Sequence, residues 1–215
     1  RKAKIDAMQR GTIIHFALEK MIEKYGASLS GISLHEIKSE ARQIIDEYIR
    51  SAAGSENLPA SLSYMLDNIS TLLAHVLLRI GGELSQSKFS PLACELKIGY
   101  DEGDVPPFEI ALDEGRQISV TGIVDRADIF KADGRTYVRI VDYKTGQKSF
   151  KLSDVLYGLN MQMLVYLFTL CRNGGDMLGE DVVPAGILYM PVKRTVLSGD
   201  ISNSGEEIEK EYEKQ

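Results

Sequence analysis

The chain has 215 residues, of which 44% are hydrophobic, and it carries a net charge of −6 with a pI of about 5.2. This length and apolar content suffice for one domain with its own core, and the sequence has neither an internal repeat nor an apolar run long enough to cross a bilayer. The acidic balance argues against a dedicated nucleic-acid binder with a basic surface, although a site for a divalent metal needs several carboxylates of its own.

Two further features concern the origin of the chain. It opens on Arg1 rather than Met, so we expect a segment of a longer protein or a processed chain, with no signal peptide. Its two cysteines, Cys94 and Cys171, are far apart and have no metal-ligand spacing. They fit a reducing, cytoplasmic compartment.

The first part of the chain predicts three helices. The first covers residues 5–25 and is stopped by Gly26. Its stripe recurs at near-helical spacing, at Met8, Thr12, His15, Leu18 and Ile22. The second covers residues 34–51, with Ser33 as N-cap and Glu36 as its capping-box partner. The third covers residues 62–85, and we expect Gly81-Gly82 to weaken its end.

After Pro91 the pattern changes to strands separated by turn residues. Four strands are predicted at residues 92–100, 108–112, 119–131 and 135–143, and Asp133-Gly134 is a strong hairpin signal between the last two. A helix at about 155–171 and a fifth strand at 183–190 follow, and the charged tail 206–215 is interpreted as a solvated helix or a frayed end. We expect one α/β domain, with a helical part (1–88), a sheet core (89–195) and a charged tail (196–215).

The third predicted strand contains charges that its pattern does not explain. Strict alternation makes Asp125 the one charge in a row that includes Ile123 and Ala127. Arg126 and Asp128 fall outside that row. They are interpreted as a surface ion pair, unless a bulge changes the parity and brings Asp128 into a site.

The stretch 140–146 (IVDYKTG) ends an apolar strand with Asp142 and Lys144 on one face. Charges beside a core are costly unless they are paired or bind something. Neighbouring carboxylates such as Asp125 and Asp142 stay ionised only with a cation between them, and oxygen ligands suit Mg²⁺ or Mn²⁺. A lysine there can stabilise an attacking hydroxide or the charge on a phosphate. The alternative is an Asp–Lys ion pair that closes the strand, with Asp125 bonded to backbone amides.

Three motifs occur in a fixed order, at residues 122–128 (GIVDRAD), 140–146 (IVDYKTG) and 162–166 (QMLVY). This order resembles the signature of the RecB-type nucleases within the PD-(D/E)XK superfamily. The start of the chain agrees with this resemblance, since residues 10–15 (RGTIIH) followed by Leu18-Glu19 are similar to the family's histidine-bearing first helix. The resemblance extends from Arg10 to about Tyr166, and it is strongest to the nuclease domain at the C-terminus of AddB-type helicase–nuclease subunits.

The resemblance implies a PD-(D/E)XK fold, in which helices flank a central mixed sheet, with an N-terminal helical annex. It also implies a set of metal ligands, namely His15, Asp125, Asp142 and the backbone carbonyl of Tyr143. Without the motifs, a lone histidine in an apolar stripe would be interpreted as a core residue.

The resemblance further implies that Lys144 is the catalytic lysine and that Asp125 and Asp142 take part in catalysis. Gln162 and Tyr166 lie four residues apart on one helix face, and their implied role is to position the DNA backbone or the lysine. Glu95 matches a glutamate often seen before the second carboxylate and has a less defined role.

The implied activity is that of a Mg²⁺- or Mn²⁺-dependent deoxyribonuclease, with exonuclease action expected. The implied substrate is single-stranded DNA delivered by a helicase subunit or domain during recombinational repair. No GxxxxGK[ST] motif occurs, so any ATPase lies elsewhere. AddB-type domains often carry four cysteines for an iron–sulfur cluster; Cys94 and Cys171 do not match them, and we expect no cluster in this chain.

Three alternatives remain open at this point. One is a nuclease-like fold that no longer cuts and acts as a scaffold or DNA-guiding module. Another is a stand-alone RecB-like exonuclease, such as those associated with CRISPR adaptation. The last is a structural network of ion pairs, in which case metal would leave the stability unchanged.

Overall fold

The computed structural model describes residues 6–53, 59–146 and 161–193. Its helices are α1 (Ala7–Tyr25), α2 (Leu34–Ala53), α3 (Ala60–Gln86), α4 (Gln162–Asn173) and α5 (Gly175–Leu178). Its strands are β1 (Ser90–Ile98), β2 (Phe108–Ala111), β3 (Gln117–Val120), β4 (Gly122–Ala132), β5 (Arg135–Lys144) and β6 (Val182–Pro191). Short 3-10 segments occur at Gly26–Gly31 and Asp113–Gly115. The first part of the predicted helix 155–171 and the predicted tail 206–215 lie outside the described residues.

Four strands form a mixed sheet in the order β1-β4-β5-β6. The β1–β4 and β4–β5 pairs are antiparallel and the β5–β6 pair is parallel. Asp133-Gly134 joins β4 to β5, and both residues have positive φ, 51° and 76°, so the predicted hairpin is confirmed. Strands β2 and β3 form a separate antiparallel pair. The mixed sheet flanked by helices confirms the expected α/β class.

Helices cover both faces of the mixed sheet and create two cores. On one face, α1, α2 and α3 pack with Val141 and Tyr143 of β5. On the other face, α4 packs with Val138 and Ile140 of the same strand. Successive residues of β5 therefore enter different cores, as expected of a strand that is buried on both faces.

The ends of the first two helices follow the capping rules. The Ser33 N–H donates to Glu36 Oε2 at 3.1 Å and the Glu36 N–H donates to Ser33 Oγ at 3.3 Å, so the predicted capping box is confirmed. Asp6 and Gln9 form a second box at the start of α1. At Gly26 the backbone has φ 50°, which glycine adopts more readily than other residues and which ends α1 as predicted. None of the helices that the structure describes combines the length and apolar character needed to span a bilayer.

The buried side of α1 is rotated relative to the predicted stripe. Met8 is 79% exposed and Thr12 is also exposed, so the prediction is wrong at both positions. The residues of α1 that are buried are Ile13, Ile14, Ala17, Leu18, Met21 and Ile22. Because this face is centred elsewhere, His15 lies at its edge, partly exposed, instead of in the core.

The predicted strand 119–131 is wrong as a single strand. It is interrupted at Thr121, so that β3 pairs with β2 and β4 enters the mixed sheet. A Cβ built on Gly122 would lie 1.9 Å from the hydroxyl oxygen of Tyr166, so α4 packs where only glycine fits. The apolar alternation continues through the break, which is why the sequence does not mark it.

Helix α3 continues through Gly81-Gly82 and ends at Gln86. A Cβ on Gly81 would lie 2.6 Å from Leu29 Cβ and 2.6 Å from the Ser30 backbone nitrogen, whereas a Cβ on Gly82 would meet no atom within 4 Å. Gly81 therefore allows the 3-10 segment to pack closely on α3, and Gly82 has no such role.

Arg126 and Asp128 are fully buried, so their interpretation as a surface pair is wrong. Arg126 Nε lies 2.7 Å from Asp128 Oδ1, in an alignment outside hydrogen-bond geometry, and Arg126 Nη2 donates to Asp128 Oδ2 at 2.9 Å. Arg139 lies 2.8 Å from Asp128 Oδ2 and 2.7 Å from Glu83 Oε1. Because α3 covers this face of the sheet, the network is buried and ties α3 to β4 and β5.

We expect Gly81→Ala to destabilise the fold by about 1–3 kcal/mol, since the added methyl overlaps backbone of the 3-10 segment. Gly82→Ala is the matched control and should stabilise by about 0.5–1 kcal/mol through helix propensity alone. Urea unfolding measures both. Equal effects of the two substitutions would contradict the packing role of Gly81.

We expect Asp128→Asn to destabilise the fold by about 3–5 kcal/mol, because it leaves the buried Arg126 charge without its main partner. Asp181→Asn removes the same charge from an exposed pair, in which Asp181 Oδ2 lies 3.2 Å from Arg135 Nε, and should change stability little. Urea unfolding of each variant measures the two changes in stability. A small effect of Asp128→Asn would show that water reaches this network.

Candidate functional site

His15, Glu95 and Asp125 come from three different elements and converge on one spot. His15 Nδ1 lies 3.4 Å from Asp125 Oδ1 and 3.5 Å from Glu95 Oε1. One ligand atom from each residue lies within 4.8 Å of the others, and in residues 6–53, 59–146 and 161–193 no other group of His, Cys, Asp and Glu meets this criterion. We call these three residues the triad. All three side chains are partly exposed, so solvent ions reach them.

Glu95 is directed into the site by an irregular backbone. Its φ of 49° lies in the left-handed region, which few residues other than glycine adopt. Cys94 packs against the helical core, whereas Leu96 belongs to the opposite core. Regular alternation would place both on one face, so β1 changes face at Glu95. Strain of this kind is concentrated at functional sites.

Asp125 lies at a matching irregularity in β4. Val124 and Ala127 are three residues apart yet enter the same core, and Ile123 is 42% exposed. The predicted row of Ile123, Asp125 and Ala127 is therefore wrong, because the strand changes face between Val124 and Ala127. Asp125 Oδ2 accepts a hydrogen bond of 2.6 Å from the Tyr143 N–H, which leaves Oδ1 directed towards His15.

Asp142 and Lys144 lie beside the triad and pair with each other. Lys144 Nζ lies 2.7 Å from Asp142 Oδ2, in an alignment outside hydrogen-bond geometry. Burial raises the pKa of Asp142 although Lys144 opposes this, and the negative charge of Asp125 raises the pKa further. The two carboxylates therefore repel each other, and a cation between them would relieve that repulsion.

His15 is strongly basic in this environment. Hydrogen bonding to Asp125 and then to Glu95 raises the pKa of His15 to about 10, against the partial burial that lowers it. These contacts stabilise the metal-free fold fully below about pH 6.5, and that stabilisation is lost as the pH rises through about 10. One imidazole and several carboxylate oxygens fit a divalent cation, which would replace the imidazolium proton.

Gln162 and Tyr166 contact each other at the start of α4. Gln162 Nε2 donates to the Tyr166 hydroxyl at 2.7 Å, and that hydroxyl donates to the Thr121 carbonyl at 3.3 Å. The Tyr166 ring is buried against Gly122, while Gln162 is exposed. Sequence reasoning missed Thr121, because it contributes its backbone carbonyl and no side-chain signal marks it.

Several clefts lie along α1 in the described part of the chain. A cleft of about 420 Å³ reaches His15 and Glu95, and it is also lined by Met8, Gly11, Thr12, Phe16, Glu19 and Tyr48. A larger one, of about 610 Å³, lies between α1 and α2 and shares Phe16 and Tyr48 with the first. The smaller of these two clefts is the relevant one, because it opens onto the triad.

Asp128, left open as a site residue, instead lies in the buried network with Arg126.

Comparison with known proteins assigns this architecture to a family. The model of the PD-(D/E)XK nuclease superfamily matches residues 1–215. The chain is 36% identical over 210 residues to a subunit of the ATP-dependent helicase/deoxyribonuclease of Acetivibrio thermocellus, covering 95% of this chain and 18% of that protein. The corresponding subunits of Clostridium botulinum and Ruminiclostridium cellulolyticum are 32% and 35% identical, each covering 93% of this chain and 18% of the relative. The chain thus spans less than a fifth of the length of these relatives.

Loading with Mn²⁺ is expected to release about one proton per ion near neutral pH, since His15 must lose its proton to become a ligand. The apparent affinity should therefore rise about tenfold per pH unit until the pH nears about 10. Calorimetry in buffers of different ionisation enthalpy measures the proton count. His15→Asn should abolish the release, and His75→Asn, at an exposed position of α3, should keep it. Saturable binding by the wild type without proton release would contradict this role of His15.

Proposed function

The chain belongs to the PD-(D/E)XK nuclease superfamily, and from that premise we propose that it is the metal-dependent DNA-cleaving domain of a helicase–nuclease. The observation that carries the proposal is the convergence of the triad beside the Asp142–Lys144 pair. These groups combine a cation-binding set of donors with an adjacent lysine. That combination fits hydrolysis of a phosphodiester, whose transition state gains negative charge.

The proposed metal is Mg²⁺ or Mn²⁺, held by His15, Asp125, Asp142 and the backbone carbonyl of Tyr143. Glu95 is added to this set because its carboxylate lies as close to His15 as the Asp125 carboxylate does, 3.5 Å against 3.4 Å. When bound, such an ion polarises a phosphate oxygen and lowers the pKa of a coordinated water.

Lys144 is proposed as the catalytic lysine. Its side chain is 46% exposed, and its ammonium group contacts Asp142 on one side and lies 5.6 Å from the centre of the Tyr189 ring on another. The ammonium group of Lys144 offers a positive charge and N–H donors to the substrate. In this role it orients the attacking water and stabilises the charge that develops on the phosphate.

Gln162 and Tyr166 are proposed to position the DNA backbone. Tyr166 is anchored to the Thr121 carbonyl and in turn accepts the hydrogen bond from Gln162. This leaves one N–H and the carbonyl oxygen of the Gln162 amide for other partners. Because Gln162 is exposed at the start of α4, its remaining N–H can donate to a phosphate oxygen.

The proposed substrate is single-stranded DNA delivered by a helicase subunit or domain, cut by exonuclease action during the processing of DNA ends for recombinational repair. Two observations support this role. The matched relatives are helicase/deoxyribonuclease subunits by name. The chain itself carries a net charge of −6, so electrostatic attraction to DNA is weak and another part of the assembly has to hold the strand.

Lys144→Ala should lower the rate of single-stranded DNA hydrolysis in Mg²⁺ or Mn²⁺ by about 100-fold or more, because it removes the charge that stabilises the transition state. Metal affinity should stay within a few fold, since no triad atom is lost. Lys131→Ala is the control, since this exposed lysine lies at the hairpin end of β4. The readout is release of labelled nucleotides with and without EDTA. Wild-type cleavage that persists in EDTA, or full activity of Lys144→Ala, would contradict the proposal.

A further inference from the structure

The buried network of α3, β4 and β5 ends at a residue that also contacts the triad. Arg126 Nη1 donates a hydrogen bond of 2.9 Å to the Tyr143 hydroxyl. At its other end, Tyr143 donates its backbone N–H to Asp125 Oδ2 at 2.6 Å. The Tyr143 ring also meets the His15 ring edge-on, with 6.1 Å between centroids. One buried tyrosine therefore touches two members of the triad.

We propose that Arg126 and Asp128 are positioning residues for the metal site, which act by holding Tyr143 in place. Tyr143 then orients the Asp125 carboxylate through its N–H and restrains the His15 ring by edge contact. The inference rests on the proposed function, since it concerns the same site. It adds residues that touch neither metal nor substrate.

The strand ladder explains why the site needs this support. The last paired residues of β4 and β5 before the site are Arg126 and Val141. Beyond that pair, the described links between the strands are the Tyr143 N–H bond to Asp125 and the Arg126 bond to the Tyr143 hydroxyl. Together with the Asp125–Arg126 peptide bond they close a ring. A closed ring fixes the Asp125 carboxylate relative to β5 more tightly than either bond alone.

The residue types in the network suit this task. A guanidinium offers five N–H donors in one plane, and Arg126 directs them at Asp128 and Tyr143, with Glu83 Oε2 further off, at 3.6 Å from Nη2. Burying this ion pair gains little stability relative to apolar residues of similar size. The rigid geometry is what apolar residues could not supply, because they would leave the Tyr143 hydroxyl without a donor.

Two single-atom changes in the network separate positioning from plain stability. Tyr143→Phe removes the hydroxyl that accepts the hydrogen bond from Arg126 and keeps the ring. Glu83→Gln weakens the contacts on the side of α3, where Glu83 Oε1 lies 2.7 Å from Arg139 and Glu83 Oε2 lies 3.6 Å from Arg126 Nη2, and it leaves the Arg126–Tyr143 bond in place. If the network only ties α3 to the sheet, both variants should lose stability without a specific loss of metal affinity.

The experiment is calorimetric titration of Mn²⁺ into the wild type and both variants, with urea unfolding of each. We expect Tyr143→Phe to bind Mn²⁺ about tenfold more weakly while it remains folded, and Glu83→Gln to bind within about twofold of the wild type. Arg126→Lys, which keeps the charge but cannot reach both partners, should also weaken binding; if it does not fold, Tyr143→Phe decides the question.

Wild-type affinity in Tyr143→Phe would overturn the inference and leave the proposed function intact. Equal weakening in Tyr143→Phe and Glu83→Gln would also overturn it, because the network would then act through the whole fold. Failure of the folded wild type to bind Mn²⁺ would overturn the proposed function and this inference together.

Discussion

The repulsion between carboxylates that share one end of the sheet is the constraint on which the site depends. Glu95, Asp125 and Asp142 bring three negative charges together in a partly buried place. In the metal-free chain, the imidazolium of His15 and the ammonium of Lys144 balance part of this charge. The proton on His15 thus occupies the role proposed for a divalent ion, and exchange of one cation for the other is the simplest account of loading.

The carboxylates come together because two strands of the sheet are irregular. Strands β1 and β4 change face at Glu95 and Asp125, so carboxylates arise between two cores that are otherwise apolar. Gly122 admits Tyr166, and Tyr166 binds the carbonyl that precedes β4. On the opposite face, a buried arginine holds the residue that orients Asp125. The same strand segment is therefore fixed from both faces of the sheet.

Much of the fold was predictable because its signals are local. The capping box of Ser33 and the turn at Asp133-Gly134 follow from residue types at short spacing. The change of face at Asp125 was not predictable in this way, because the alternation rule assumes a regular strand and a bulge leaves no trace in the composition. The burial of Arg126 and Asp128 was hidden for another reason. It depends on α3, which lies some forty residues earlier in the chain and covers that face.

The central claim is that the triad binds a divalent cation, and anomalous X-ray scattering from crystals loaded with Mn²⁺ tests it most directly. The account predicts one strong peak in coordination distance of His15 and Asp125, with Glu95 or Asp142 completing the set of side chains. It also predicts that Asp125→Asn weakens or removes this peak. An ordered site without a peak, or a peak elsewhere that is insensitive to Asp125→Asn, would contradict the account. The charges would then form a structural network closed by His15 and Lys144.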